Sequence, residues 1–255
     1  MAVAVNFGPT RNDQEKVSME IDLPIIKRKL SDEVMERLVA LIKSGQFKPG
    51  DTFPSERELM KQFGVGRPAV REAMQSLQSA GLISVNQGHR PKVTEPTAVG
   101  MISQIDIAAR HLLNSSPGSL DHLKEARLLF EVQVVRIAAA KASEQDIEQM
   151  HAALERQKAA YQSQPEKFVE ADIAFHVAIA KSTRNPIFIA TSGALLGWLK
   201  EFHTNVVRLD GTESITLVEH QRIFESIAAK DPEGAAFAMT DHLNRSREIY
   251  RSGVK

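Results

Sequence analysis

The stretch 54–93, PSERELMKQFGVGRPAVREAMQSLQSAGLISVNQGHRPKV, limits the possible folds more than any other part of the chain. Ser55 and Glu58 have the spacing of a capping box, in which each side chain bonds a free backbone N–H at the start of a helix. Apolar residues spaced three and four apart follow on one helix face. Gly64 and Gly66 then predict a tight turn, because glycine adopts backbone angles that are costly for other residues.

A second helix is predicted after this turn, with arginines on a face that lies outside its apolar stripe. It begins at Arg67 and Pro68, and proline is tolerated in a first helical turn. Arg67 and Arg71 are four residues apart and therefore share a face. A helix in this position with arginines in its first turns is the arrangement that enters a DNA major groove. The alternative is a small helical domain whose arginines only solvate its surface.

Two short strands and a polar loop are predicted after the second helix. The strands are residues 81–85 and 91–93, and the basic loop 86–90 between them forms a wing suited to a phosphate or the minor groove. Upstream, residues 30–43 predict a helix with Ser31 as its cap. Three helices and a wing thus define a DNA-binding unit, which we expect to span residues 26–95.

Amino-acid composition excludes several classes of site and limits the cellular location expected for the protein. The chain has no cysteine, so disulfides, thiolate metal sites and cysteine nucleophiles are excluded. It has no apolar run long enough to cross a bilayer and no signal-peptide pattern, as expected of a cytoplasmic protein. Its 32 basic and 32 acidic residues balance, so net charge says little about nucleic acid. Residues 1–25 lack periodicity and are predicted to form a flexible arm.

The second half of the chain shows helical periodicity throughout and no strand pattern. Ser143 and Asp146 form a second capping box, and Asn185 and Asp231 each precede a proline at a first helical position. Seven helices with short connections predict an all-α bundle, which we expect to occupy residues 98–252. The predicted helices are 98–113, 119–142, 144–162, 166–182, 186–208, 213–230 and 232–251. The fold class is therefore mainly α: a winged helix-turn-helix followed by an all-α helical bundle.

One carboxylate and three imidazoles can meet inside this bundle. Asp172 and His176 are four residues apart on one helix face, and His220 and His242 lie in later helices with apolar flanks. Such a nitrogen-rich set with one oxygen suits zinc first, and nickel or manganese next. The alternative is that these are isolated core or surface histidines, since the chain contains eight.

The motif PSERELMKQFGVGRPAVREAM with its wing resembles the DNA-binding domain of the GntR family of winged-helix transcription regulators, in its FadR-type branch. The resemblance covers residues 30–95. It implies that the protein contacts double-stranded operator DNA through the set Ser55, Arg57, Arg67, Arg71, Gly88, His89 and Arg90, with Gly88 at the wing tip. Two features depart from the family pattern. Gly66 replaces the usual Ser or Thr, and the wing lacks its second glycine, so the commonest operator preferences cannot be assumed.

The bundle resembles the FCD domain, the ligand-binding partner in FadR-type regulators. DxxFH at 172–176, EHxxI at 219–223 and the late His242 match that domain's metal-binding pattern. EARLLFE at 125–131 matches its first long helix, where an arginine receives an acidic ligand. The resemblance gives this effector-binding role to Arg127, whose planar guanidinium can pair both oxygens of a carboxylate. The alternative for Arg127 is an ion pair with Glu131 within the helix.

Looser signals concern the acid itself. The wing, residues 127–136, NPIF at 185–188 and ALLGWL at 194–199 are more similar to the sialic-acid-responsive regulators than to other branches. The resemblance implies a homodimeric repressor, not an enzyme, in which a small organic acid changes DNA affinity. N-acetylneuraminate is the leading acid, and a hexuronate or another sugar acid is the alternative. A metal-dependent hydrolase, or a constitutive DNA-binding protein whose bundle only dimerises, are the other hypotheses.

Overall fold

Ten helices and one two-stranded sheet make up the described part of this computed structural model, which covers residues 28–86, 88–116, 118–161, 163–203 and 212–252. The predicted mainly α class is confirmed. The predicted arm, residues 1–25, lies outside the described residues. Within the described ranges, no helix is both long and apolar enough to span a membrane.

The N-terminal unit contains three helices and the two strands. They are α1 (Leu30–Lys43), α2 (Glu56–Phe63), α3 (Arg67–Ser79), β1 (Ile83–Ser84) and β2 (Lys92–Val93). The strands pair antiparallel with Ile83 opposite Val93, and Thr52 forms a further bridge to Lys92. Leu38, Phe53 and Leu77 are fully buried in the core between them. The wing is thus held on the same small core as the helix-turn-helix, although its strands are shorter than predicted.

Local signals account for the helix-turn-helix geometry. The capping box is confirmed: Glu58 N donates to Ser55 Oγ at 3.3 Å, and Ser55 N donates to Glu58 Oε2 at 2.8 Å. The helix α2 ends at Gly64, whose φ of +65° is the left-handed conformation that glycine adopts readily. The prediction that Ser31 caps α1 is wrong. Lys29 occupies the N-cap, and Ser31 is buried one residue inside the helix.

Seven further helices form the C-terminal bundle, as predicted. They are α4 (Ala98–Ser115), α5 (Ser119–Lys141), α6 (Glu144–Ala160), α7 (Pro165–Ser182), α8 (Pro186–His203), α9 (Thr212–Ala228) and α10 (Pro232–Ser252). Asn185 Oδ1 accepts from Ile187 N at 2.9 Å, and Asp231 Oδ1 accepts from Gly234 N at 2.9 Å, so both predicted caps are present. The predicted extension of α8 over residues 204–208 lies outside the described ranges.

The main core of the bundle is built by side chains from five helices, α5, α6, α7, α9 and α10, and includes the fully buried Phe175. The helix α4 instead has no buried residue and is fastened to α8 by polar contacts. Trp198 Nε1 of α8 donates to Asp106 Oδ1 of α4 at 2.8 Å, and Arg110 of α4 forms an ion pair with Glu201 of α8. These contacts tie the helix that follows the DNA-binding unit to the bundle.

An ion pair joins the α7–α8 turn to the start of α6. Arg184, with a φ of +60°, places Nη1 and Nη2 each 2.8 Å from the two carboxylate oxygens of Asp146. The hydrogen bonds from Arg184 are the largest cause that lowers the pKa of Asp146, to about 2. A lowered folded-state pKa means that ionised Asp146 stabilises the fold above its unfolded pKa of about 3.9, and that this contribution is lost as pH falls to about 2.

We therefore expect Asp146→Asn to destabilise metal-stripped protein by about 1.5–3 kcal/mol at pH 7, the usual range for hydrogen bonds to charged groups. The difference from wild type should shrink steadily between pH 4 and pH 2, as wild-type Asp146 becomes protonated. Urea unfolding of both proteins across this range measures it. A difference that stays constant with pH would contradict the assignment.

Candidate metal centre and DNA-binding surface

Three histidines meet at the centre of the bundle. His176 comes from α7, His220 from α9 and His242 from α10, and all three are buried. One ring nitrogen of each lies within 4.8 Å of those of the other two, and the Nε2 atoms of His220 and His242 are 3.3 Å apart. Phe175, next to His176 in the chain, packs on the His220 ring with centroids 4.8 Å apart. The fold thus brings together three of the four predicted ligands.

Each of these imidazoles has an oxygen partner at its other nitrogen, Nδ1. The pairs are Glu131 Oε2 with His176 at 2.5 Å, Gln157 Oε1 with His220 at 2.8 Å, and Glu219 Oε2 with His242 at 2.9 Å. At His220 and His242, acceptors of this kind keep the proton on Nδ1 and leave the lone pair on Nε2, which is the tautomer that a metal-ligating histidine needs. The close contact at His176 Nδ1 does not have hydrogen-bond geometry. The Nε2 lone pairs of His220 and His242 therefore face each other, and a ring nitrogen of His176 lies within 4.8 Å of the ring nitrogens of both.

The electrostatics of the cluster agree with this arrangement. Burial lowers the pKa of His220 well below its ordinary value and also lowers the pKa of His242, so both rings are neutral at neutral pH. Two facing lone pairs 3.3 Å apart repel each other, and a cation bound between them would remove this repulsion. Neutral imidazole is also the form that coordinates metal. The residues present therefore fit a divalent ion.

Asp172, the fourth predicted ligand, lies at the edge of the cluster. Its Oδ1 is 3.5 Å from His220 Nε2 and accepts a hydrogen bond from Gln157 Nε2 at 3.2 Å. Sequence reasoning missed Gln157. A signal was present, because this amide interrupts the run of apolar residues that follows the capping residue Asp146 on the buried stripe of α6: Met150, Ala153, Leu154 and Ala160.

The predicted effector residue lies against the same cluster. Arg127 is 5% exposed, and its Nη2 is 3.3 Å from His176 Nε2. Its Nε also donates to Glu131, so the ion pair considered as the alternative is present as well. Burial raises the pKa of Glu131, but the nearby charge of Arg127, its hydrogen bond and the contact with His176 outweigh this effect and lower that pKa to about 2. A buried cation, a buried anion and the histidines form one network.

The predicted DNA-binding arginines lie on the surface of the helix-turn-helix. Arg57 on α2 and both Arg67 and Arg71 on α3 are exposed. Arg67 pairs with Glu56 at 3.2 Å, whereas no ion pair is found for Arg71 among the described residues. Ser55 is half-buried, with its hydroxyl engaged in the capping box. Exposed guanidinium groups on this face are available for phosphates or base edges.

The wing follows the same surface. Gly88 lies in its loop with a φ of +78°, and the neighbouring His89 and Arg90 are exposed. Arg90 pairs with Glu58 at 3.3 Å, which holds the wing beside the start of α2. The structure therefore places the predicted wing residues next to the predicted helix-turn-helix residues.

Two protein-family models match the chain. The model described as "Bacterial regulatory proteins, gntR family" matches residues 30–93, and the FCD domain model matches residues 122–245. The chain belongs to the GntR family. The GntR match covers α1 to β2, and the FCD match contains every predicted metal and effector residue of this GntR protein.

Curated relatives extend the similarity along most of the chain. The "HTH-type transcriptional repressor NanR" of Klebsiella aerogenes is 38% identical over 231 residues, covering 90% of this chain and 88% of that protein. The proteins of the same name from Cronobacter sakazakii and Escherichia coli K12 are 39% and 37% identical, covering 87% of this chain and 85% and 84% of theirs. These GntR relatives are regulators, so the hydrolase hypothesis is wrong.

A solved structure agrees on the fold. The Streptococcus agalactiae GntR protein superposes with a TM-score of 0.62 over 86% of this chain and 99% of its own, at 22% sequence identity. At that identity the similarity concerns the fold alone, and it matches the architecture of a winged helix-turn-helix joined to a helical bundle.

Proposed function

We propose that this GntR-family protein is a metabolite-responsive transcription repressor whose bundle binds a divalent metal, zinc first, together with N-acetylneuraminate. The observation that carries this proposal is the convergence of ring nitrogens from three buried histidines beside the buried Arg127. Similarity to proteins named transcriptional repressor NanR supports the sign of regulation. The motif resemblance to sialic-acid-responsive regulators supports the acid.

Different residues of the cluster bind the metal and the acid. His176, His220 and His242 hold the metal, with Asp172 at its edge, and Arg127 supplies a donor for an acid. Bound zinc would act as a Lewis acid to which a carboxylate oxygen can coordinate. Because Glu131 already neutralises much of the Arg127 charge, the arginine alone is a weak anion site. We therefore expect the acid to bind tightly only when metal and guanidinium act together.

Structural contacts provide a route from this site to DNA. A ligand alters DNA affinity only if it binds two states of the protein unequally. The helix α7, which carries Asp172 and His176, packs against α8, and α8 is fastened to α4. Gln104 of α4 packs closely against Gly81 of the DNA-binding unit. A Cβ added at Gly81 would lie 2.9 Å from Gln104 Nε2. A shift of α7 can thus reach the DNA-binding unit through α8 and α4.

A homodimer fits both the DNA and the bundle. Met101, Ile105 and Leu112 lie along one side of α4 and are 51%, 50% and 61% exposed in a single copy. Burying such a stripe against a second copy is favourable. Two α3 helices would then read two half-sites of operator DNA in the cytoplasm.

A four-way thermal-shift experiment tests the ligand assignments. Pure protein is melted metal-stripped and zinc-loaded, each with and without N-acetylneuraminate. We expect zinc to raise the melting temperature, and the acid to raise it further mainly when zinc is present, since a ligand at 100 times its Kd adds about 2.7 kcal/mol. A hexuronate that shifts the melting temperature when N-acetylneuraminate does not would replace the acid in the proposal.

Arg127→Lys is the matched variant for the effector site. It keeps the charge beside Glu131 but loses the planar fork that pairs both oxygens of a carboxylate. The variant should retain the zinc shift and lose most of the further shift with N-acetylneuraminate. An undiminished ligand shift in this variant would remove Arg127 from the effector site.

A further inference from the structure

Gln157 is a buried amide that touches two predicted metal ligands from different helices. It lies on α6 and is 0% exposed. Its Oε1 is 2.8 Å from His220 Nδ1 on α9, and its Nε2 is 3.2 Å from Asp172 Oδ1 on α7. The partners of His176 and His242 are carboxylates, so this amide is chemically distinct from the other two acceptors around the cluster.

The chemistry of an amide suits this position. His220 needs an acceptor at Nδ1 so that Nε2 stays free, whereas the Asp172 carboxylate needs a donor. An amide supplies both from one planar group, while a carboxylate supplies acceptors only and a thioether supplies almost nothing. The same contact holds Asp172 Oδ1 at 3.5 Å from His220 Nε2, where it can add an oxygen to the three nitrogens.

We propose that Gln157 is a positioning residue that sets the donor set of the metal site. It orients His220 and keeps the Asp172 carboxylate at the edge of the cluster. The metal then meets three nitrogens and one oxygen in place of three nitrogens alone. This inference rests on the proposed metal site and assigns a role to a residue outside the ligand set.

Two substitutions separate the halves of this role. Gln157→Glu keeps an acceptor for His220 but places a carboxylate against Asp172, so the aspartate should be pushed out of the donor set. Gln157→Met is close in size and removes both hydrogen bonds. Gln221→Met is the matched control, because Gln221 follows His220 on α9 and, among the described residues, its amide donates within its own helix, to Glu225 at 2.9 Å.

The experiment uses full-length, metal-stripped protein titrated with Zn²⁺ against a competing chelator, and with Co²⁺ followed by its visible absorption. Loss of a hydrogen-bonding partner behind a metal ligand typically weakens metal binding by about 10–100-fold, and we expect Gln157→Met to lie in this range. Gln221→Met should match wild type. The cobalt spectrum of Gln157→Glu should resemble that of Asp172→Ala, since both remove the same oxygen.

The outcomes distinguish this inference from the proposed metal site. If wild type binds the metals and both Gln157 variants show its zinc affinity and its cobalt spectrum, the positioning role is overturned while the metal site stands. If wild type binds neither ion, the metal site itself is overturned. Melting of each metal-stripped variant verifies that it is folded. Should Gln157→Met fail to fold, the affinity and spectrum of Gln157→Glu decide the matter.

Discussion

His176→Ala is expected to lose zinc binding and the thermal stability that zinc provides. The substitution removes one of three converging imidazole nitrogens from the buried cluster. It leaves Glu131 paired with Arg127, so the remaining charges are not stranded. A metal present at 1,000 times its Kd stabilises the folded state by about 4.1 kcal/mol, and the variant should forfeit this contribution. Metal content and melting temperature, each with and without added zinc, measure the effect.

His151→Ala is the matched control for this result. His151 lies on α6, is exposed, and pairs only weakly with Glu155 at 3.8 Å. It should keep the metal content and the zinc shift of wild type. Equal zinc occupancy in His176→Ala and His151→Ala would show that His176 is an ordinary core residue, and the three-histidine metal centre would then be wrong.

Arg71→Ala is expected to weaken specific DNA binding and leave metal content intact. Arg71 is exposed on α3, and alanine favours helix, so the fold should not suffer. An arginine that reads a base edge with both arms contributes about 1–3 kcal/mol, which corresponds to a loss of roughly 5–150-fold in affinity. The affinity is measured by fluorescence anisotropy, using a DNA fragment that the wild-type protein selects from genomic DNA.

Salt dependence and a second arginine provide the controls. Wild-type affinity should fall steeply with salt, because Lys and Arg contacts to phosphates release counterions. Arg156→Ala makes the same substitution at an exposed site on α6 of the bundle and should bind DNA like wild type. Arg71→Ala with wild-type affinity, or a flat salt dependence of the wild type, would contradict a groove-bound α3.

Local chemistry made most of the fold predictable from sequence. The capping box at Ser143 and the proline after Asn185 predicted helix starts that the structure contains, because these signals act within one turn. The predicted cap at Ser31 was wrong because the helix begins earlier in the chain than the position of this hydroxyl suggested. A hydroxyl near a helix start predicts a cap only if the chain is extended there, and the extended residue is Lys29.

The candidate site depends on long-range packing and was less predictable. Residue types and spacing placed Asp172 and His176 on one face, but motif resemblance selected His220 and His242 from eight histidines. The second layer of partners followed from neither source. Gln157 is 63 residues from His220, and nothing local indicates their contact.

Arg127 illustrates how a tertiary network replaces a simple alternative. From the sequence, Arg127 was predicted either to bind the effector or to form an ion pair with Glu131 within its helix. In the fold, the ion pair forms and the same guanidinium reaches His176. The two descriptions are compatible because an arginine has several donors and only Nε is needed for Glu131.

The measurement that tests the central claim most directly is DNA affinity of the zinc-loaded protein with and without saturating N-acetylneuraminate, using the selected fragment. Allosteric couplings typically change affinity about 5–150-fold, and we expect the acid to weaken DNA binding within this range. The Arg127→Lys variant should bind the same DNA and respond little. An affinity that stays unchanged with N-acetylneuraminate, hexuronates and other sugar acids would contradict a metabolite-responsive repressor and leave a constitutive DNA-binding protein.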